Sequence, residues 1–547
     1  MGRISITILE MKNVGIAFDI LPEGANRPLG CQFVDCFMHF EVKMDFRRKA
    51  RLVAGGHVTT TPDTSTYAGV VSRESVRIAF LIAALNDLNI LAADIQNAYL
   101  TAPPTEKYYT KCGPEFGQQF EGRYARIVRA LYGLKSSGAA FRNHLRDCMS
   151  HLKYTSCSAD PDVWLRPAVH NDGSTYYEYL LLYVDDVLAI SKHPRSCLEE
   201  INQYFPLKPG SIGDPKFYLG TKISKVRLPN QVIAWAFSSS KYIKSSVENL
   251  AKILKEKKLK LSSKKMDAPI SNGYRPEMDV SDELNSEDAQ LFQSLIGILR
   301  WTVEIGRIDI CAEVSMLSSH LALPRHGHLQ QVFNIFSYLK QHHNSRIVFD
   351  PSYPHIDDKI FPKYDWSSFY GKIKEEIPEN MPMALGKELI MITYVDADHA
   401  GDKTNRRSRT GFIIYLNNAP IYWLSKKQTS VETSSFGSEM VAMKQCTEYI
   451  RGLRYKLRMM GIPINDPTFV YGDNKSMVYN TSIPESVLRK KNNSISYHFI
   501  REGSACGEWK TGYIPRDENI SDLLTAARPA GIKRSKHVNS IMYDMNG

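Results

Sequence analysis

Residues 179–190 constrain the fold most. The apolar runs Tyr179-Leu180-Leu181-Leu182 and Val187-Leu188-Ala189-Ile190 flank a polar tip, Tyr183-Val184-Asp185-Asp186. Such a pattern predicts a strand, a tight turn and a returning strand, with both carboxylates at the turn. At about 4 Å and an effective dielectric near 20, two such charges repel by about 4 kcal/mol, roughly three pKa units. A divalent cation would offset this, and hard oxygen ligands on a rigid hairpin suit Mg²⁺. An ordinary hairpin with a solvent-facing acidic turn fits the same residues, because Asp is a common turn residue. The surrounding chain has to separate the two.

A length of 547 residues exceeds one hydrophobic core and implies several domains. The apolar fraction of 43% and charged fraction of 23% are those of folded protein, and the net charge of +11 makes a polyanion a plausible partner. Nine cysteines without a Cys-x-x-Cys pair make neither a disulfide framework nor a zinc finger, which points to a reducing, intracellular setting. The first 30 residues lack the features of a secretory signal, and the best apolar run, Ile78 to Ile90, is broken by Asn86, Asp87 and Asn89. The chain is expected to be neither secreted nor membrane-inserted.

The fold class read from the pattern is mixed α/β (α+β) and multidomain. Ser75 to Leu88 predicts a helix, Ile90 to Ile95 a strand, and Gly138 to Leu152 a second helix. Residues 241–266 carry seven lysines from Lys252 to Lys265, while Val247, Leu250 and Leu254 share one helical face. That is either a solvated face or a helix lying along a nucleic-acid backbone. A helical block, Asp288 to Tyr338, precedes a proline-broken connector over about 350–386. Period two then returns: a strand at Leu389 to Val395 and a hairpin turning at Asn417-Asn418, followed by helix from Gly437 to Arg458.

A two-metal phosphoryl-transfer site needs carboxylates from distant strands that converge, because no single segment can surround two ions. Asp94, ending an apolar strand, supplies a third acid beside Asp185 and Asp186. Asp94 and Asp185 would bridge the metals and Asp186 would assist. Tyr99, five residues on, could fill the space a ribose 2′-hydroxyl needs, although a lone aromatic there is more readily core. Taken in order, Lys49-Ala50-Arg51-Leu52-Val53-Ala54-Gly55-Gly56, Asp94 to Leu100, Leu131-Tyr132-Gly133-Leu134-Lys135 and Tyr183-Val184-Asp185-Asp186 resemble the reverse transcriptase of copia-type long-terminal-repeat retrotransposons. The resemblance implies a right hand: an N-terminal segment (1–37), fingers and palm (38–222), a thumb-like basic region (223–285), a helical connection with linker (286–385) and a ribonuclease H-like domain (386–547). It also implies nucleotide contacts from Lys49, Arg51, Tyr99 and Lys135 and a primer grip at Tyr218, Leu219 and Gly220. Ser136-Ser137-Gly138 departs from the family's Gln-Ala-Pro, which puts a glutamine contact to the nucleotide in doubt.

Four further acids are spaced along the last 160 residues: Asp396, Glu439, Asp473 and Asp522. Singly each reads as a cap or surface carboxylate. Together, with Arg406-Arg407-Ser408, Lys426-Lys427-Gln428 and Tyr497-His498-Phe499, they resemble the copia-type ribonuclease H. His498 reads as structural more readily than as a proton shuttle. Asn492 and Ala526 stand where the family usually has His and Lys. The expected activity is RNA-directed DNA synthesis plus cleavage of RNA:DNA hybrids. Its cofactor would be Mg²⁺, two per site with Mn²⁺ as a substitute. The expected partners are RNA template, DNA primer, dNTPs and the integrase or capsid of the same element, and the expected place is a cytoplasmic virus-like particle or the nucleus. No zinc knuckle, aspartic protease or integrase pattern is found, so the chain reads as the polymerase and ribonuclease H portion. A remnant that only binds nucleic acid and a DNA-templated polymerase remain as alternatives.

Overall fold

The computed structural model describes residues 17–42, 48–63 and 65–543. The chain divides into two compact units. One comprises 1–72, 89–173 and 177–214; the other comprises 73–88, 174–176 and 215–547. Helix α1 (Arg73–Leu85) falls to the second unit, although the chain then returns to the first.

The first unit is built on a five-stranded antiparallel sheet: β1 (Asn89–Asp94), β2 (Thr155–Cys157), β3 (Asp160–Val169), β4 (Thr175–Tyr183) and β5 (Asp186–Ser191), ordered β1-β5-β4-β3-β2. Helix α2 (Ser137–His151) and α3 (Pro194–Asn202) cover one face. Leu180, Leu182, Val187 and Ala189 pack there with Phe141, Leu145, Met149, Leu198 and Phe205. The alternate residues Tyr179, Leu181, Leu188 and Ile190 are buried as well, which is why the flanking runs are apolar throughout instead of alternating. Burying each large side chain contributes about 1.5–3 kcal/mol. That burial holds a costly turn in place. Tyr183 pairs with Asp186, leaving Val184 and Asp185 as the whole turn, and Val184 takes a φ of +57°. A β-branched residue in the left-handed region costs about 1–3 kcal/mol.

The second unit holds two sheets. The smaller has β6 (Phe217–Tyr218), β7 (Thr221–Arg227), β8 (Ile233–Ser238) and β9 (Arg346–Phe349) in order, all antiparallel. Helices of this region include α4 (Ser240–Glu256), α5 (Ser286–Glu304), α6 (Cys311–Leu317) and α7 (His326–Gln341). On α4 the residues Ile243, Val247, Leu250 and Leu254 are buried, so Lys241, Lys244, Lys252 and Lys255 lie on its other side, while Lys257, Lys258, Lys260, Lys264 and Lys265 follow the end of the helix. The larger sheet contains β10 (Met391–Asp398), β11 (Arg409–Leu416), β12 (Ala419–Lys427), β13 (Thr468–Gly472) and β14 (Trp509–Tyr513), ordered β12-β11-β10-β13-β14. The first three form an antiparallel meander, while β13 and β14 run parallel to β10. Around them lie α8 (Ser435–Met459), α9 (Lys475–Ser482), α10 (Ser494–Cys506), α11 (Asp522–Thr525) and α12 (Ile532–Ile541), with α8 against β10 and β11.

The connector between the sheets is irregular apart from the short helix Ser367–Tyr370. Glu375 staples it to α8: its carboxylate accepts from Arg454 at 2.8 and 2.8 Å and from Arg458 at 2.5 and 2.6 Å. Helix α1 is fixed within this unit at both ends. Glu74 pairs with Lys456 (2.8 Å), Arg77 donates to the Ile421 carbonyl (2.8 Å) under the Trp423 ring, and Asn86 accepts from the Lys387 amide (2.8 Å). No helix among the described residues is long and apolar enough to cross a membrane.

Two candidate carboxylate centres

The upstream centre follows from strand register. Asp94 ends β1, Asp186 begins β5, and the two are direct Cα partners across the ladder. The Ile95 amide donates to the Asp185 carbonyl at 2.8 Å, so the turn residue sits over the same strand end. Lys208 ion-pairs with the Asp94 carboxylate, and its amide donates to the Asp94 carbonyl at 2.8 Å. Asp186 keeps solvent contact, yet its carboxyl is pushed up to about 6 by loss of water, then by the charges of Asp185 and Asp94, with Lys208 opposing. Beside it lies an aromatic shelf. Tyr99 and Tyr132 have centroids 4.7 Å apart, and the Arg51 guanidinium is 5.5 Å from the Tyr132 ring. Burial first and Asp185 second raise both tyrosines above their ordinary values.

The downstream centre is built on parallel strands. Val395 of β10 pairs with Gly472 of β13, so Asp396 and Asp473 leave neighbouring strands side by side, and α8 brings Glu439 over them. Ligand atoms of Asp396, Glu439 and Asp473 all lie within 4.8 Å of one another. Among the described residues no other three acidic, His or Cys side chains close to that distance. Asp396 and Glu439 are each 5% exposed. Burial, then Asp473, pushes Asp396 up to about 7 against the Thr525 hydroxyl, which donates to its Oδ2 at 2.7 Å. Burial, then Asp396 and Asp473, holds Glu439 well above the carboxylate range, and its Oε2 has no hydrogen-bond partner. Asp473 is raised chiefly by burial.

Residues 19–252 match the family described as reverse transcriptase (RNA-dependent DNA polymerase). That stretch is similar to a reverse transcriptase domain. The chain's curated relatives include retrovirus-related Pol polyproteins from transposons. The retrovirus-related Pol polyprotein from transposon RE1 of Arabidopsis thaliana is 26% identical over 486 residues, covering 88% of this chain and 29% of that protein. That from transposon TNT 1-94 of Nicotiana tabacum is 26% identical over 526 residues, covering 93% and 35%. The chain thus spans about a third of the length of the curated relatives it matches. Among solved structures, a foamy viral protease-reverse transcriptase in complex with RNA/DNA hybrid gives a TM-score of 0.42 at 11% identity, covering 91% of this chain and 52% of that one. RNase H1 from Halobacterium salinarum gives 0.20 at 13% identity, covering 25% and 93%.

Within residues 19–252, the expected residues are not all gathered. Asp94, Asp185, Asp186, Tyr99 and Arg51 are connected through the contacts above. Lys135 is engaged elsewhere, its Nζ donating to the Thr59 carbonyl at 2.5 Å, and the side chain of Lys49 lies outside the described residues. The departing serines are both used: Ser136 Oγ donates to Glu106 at 2.5 Å and Ser137 Oγ to the Leu131 carbonyl at 2.6 Å, fixing the start of α2. Tyr218, Leu219 and Gly220 form the β6–β7 turn of the second unit, with φ of +49° at Leu219 and +85° at Gly220.

Of the four downstream acids, Asp522 stands apart. It is fully buried and ion-paired with Arg528 (2.6 Å), Lys533 (3.4 Å) and Arg516 (3.7 Å). His498 is exposed on α10, its Nδ1 3.2 Å from the Tyr370 hydroxyl. The sequence alone assigns no role to Lys208, Thr525, Arg528 or Lys533. Only Thr525 carried a signal, as the middle of Leu524-Thr525-Ala526.

Proposed function

We propose that this chain is an RNA-directed DNA polymerase with a second, ribonuclease H-type centre acting on RNA:DNA hybrids. The cross-strand pairing of Asp94 with Asp186, with Asp185 in the adjoining turn of a reverse transcriptase domain, carries the first half. The right-hand layout, RNA template, DNA primer and dNTPs belong to this reading. The convergence of Asp396, Glu439 and Asp473 supports the second half.

The donor set suits Mg²⁺, with Mn²⁺ as a substitute: three oxygen donors face one another, one is an orphan, and no ion pair from Lys or Arg neutralises them among the described residues. When bound, such ions neutralise developing phosphate charge and lower the pKa of an attacking hydroxyl or water. The chain's own residues do the rest. Asp94, Asp185 and Asp186 present acceptors at one strand end, and Lys208 balances Asp94. Tyr99 is placed beside that charge with its ring wedged between Tyr132 and Phe141, fixing a wall that can exclude a ribose 2′-hydroxyl. Thr525 orients Asp396 through a donated hydrogen bond.

The test of the polymerase half is dNTP incorporation on a primed RNA template, beside Asp185→Asn; equal incorporation by both proteins would refute the site. A matched DNA template separates an RNA-directed from a DNA-directed enzyme. For the ribonuclease half, a labelled hybrid is incubated with the chain and with Asp473→Asn, and cleavage should require Asp473. The three cations around Asp522 favour a second reading for this half alone, hybrid binding without cleavage, which predicts salt-sensitive binding and an intact hybrid.

A further inference from the structure

Arg409, the first residue of β11, is buried, and its Nη1 donates to Ser315 Oγ at 2.7 Å and Ser425 Oγ at 3.5 Å. No carboxylate ion-pairs with it among the described residues. A buried guanidinium normally carries a counter-ion, because hydroxyl partners do not neutralise its charge. Arg409 lines a cavity of the second unit with roughly 810 Å³ of empty space, counting the part open to solvent.

Four more cations line that cavity: Arg275, Arg407, Lys427 and Arg528. Lys427 is occupied by Asp402 at 3.1 Å and Arg528 by Asp522 at 2.6 Å. Arg275 spends one nitrogen on the Gly401 carbonyl at 3.0 Å and stands 3.9 Å from Glu277. The exposed Arg407 guanidinium has no partner among the described residues. Asp398 also lines the space, without coming within ion-pair distance of Arg409. The loop presenting Arg407 is fixed: Asp402 accepts from the Thr404 hydroxyl at 2.7 Å and the Asn405 amide at 3.1 Å, and Ser408 Oγ accepts from the Ala400 amide at 3.0 Å.

The cavity abuts the downstream carboxylates. Thr525 is part of its wall and donates to Asp396, and Arg528 is part of its wall and holds Asp522. We propose that this cavity is a phosphate-binding subsite, seating one backbone phosphate of an RNA:DNA hybrid among Arg409, Arg275 and Arg407 while the adjoining carboxylates face the strand to be cut. The proposal rests on the ribonuclease reading and deepens it. It also makes the hybrid site larger than residues 386–547, because Arg275 comes from a segment more than a hundred residues upstream.

The test measures binding, so it does not depend on cleavage. A labelled RNA:DNA hybrid is titrated across a salt series with the full chain carrying Asp473→Asn, alone or with Arg275→Gln plus Arg407→Gln, or with Arg409→Gln or Arg409→Lys. Losing two phosphate contacts should weaken binding about 10-fold and flatten the slope of log affinity against log salt by about 1 to 2. Arg409→Gln should act in the same direction, with Arg409→Lys recovering part of the loss. The two mouth arginines are exposed, so the double variant folds even where Arg409→Gln does not. Unchanged affinity and slope in the double variant would overturn the subsite. Inorganic phosphate provides the second arm: if it raises the thermal midpoint of the parent but not of Arg409→Gln while hybrid slopes stay equal, the cavity takes free anions and the nucleic-acid assignment fails. A flattened slope with no hybrid cleavage by the unmodified chain would refute the ribonuclease reading and leave the subsite standing.

Discussion

At the end of β1 and β5, Asp94 carries its own counter-ion in Lys208 and Asp186 remains in contact with water. Beneath α8, Asp396 and Glu439 are withdrawn from water and no Lys or Arg ion-pairs with them among the described residues. Like charges are thus tolerated with the help of an internal ammonium in one centre and by shifted protonation alone in the other. The difference teaches that the downstream centre depends more on an external cation. Its ionised form is the less stable one until a divalent ion arrives.

The strongest challenge to that contrast is to remove one acid from each centre. Asp185→Asn should abolish dNTP incorporation and leave hybrid cleavage intact, and Glu439→Gln should do the reverse, each losing at least about 10²-fold. If either change removed both activities, the two centres would not be separate machines. A smaller effect is expected at the staple on α8. Glu375 is held at about 2 after the opposing cost of burial, by hydrogen bonds and charge from Arg454 and Arg458. Glu375→Gln would leave two guanidinium groups without their carboxylate, and urea denaturation should show a loss of about 2–4 kcal/mol. The stabilisation from Glu375 is present above its unfolded value near 4.5 and is lost as pH falls toward 2.

Asp396 has the opposite sign. Its folded value of about 7 lies above the unfolded value near 3.8, so it favours the folded chain when protonated. In chelator, the thermal midpoint should therefore fall as pH rises from about 4 to 7, and Mg²⁺ should flatten the curve. Asp396→Asn should reduce this slope and leave the part that Glu439 and Asp473 supply; a slope unchanged by the substitution would end the claim that this carboxylate is uncompensated. The smallest effect belongs to the strained turn. Val184→Gly relieves the positive φ but loosens the unfolded chain, for a net gain of about 1 kcal/mol or less by denaturant titration.

The hairpin, the central strands and the spacing of three downstream acids could be read from sequence because each is encoded locally, by apolar runs of fixed period and polar residues at their ends. Lys208 could not. It meets Asp94 across 114 residues, and a lone lysine in a loop has no pattern. Asp522 shows the converse: its neighbours marked a motif, but Arg528 and Lys533, which hold it, are ordinary cations in sequence. Helix α1 is predicted over Ser75 to Leu88, yet nothing in that apolar stretch names β8, β9 and β12 as what it packs against.

That helix has a consequence for synthesis. Arg77 waits for Ile421, which lies 344 residues further along the chain. At about 5–20 residues per second, the ribosome needs on the order of tens of seconds to deliver it. During that interval the apolar face of α1 has emerged without its strands, and Glu74 without Lys456. The second unit is therefore finished only when the carboxyl-terminal third is out, and nascent chains cut short before β12 would expose this helix to chaperones or to one another.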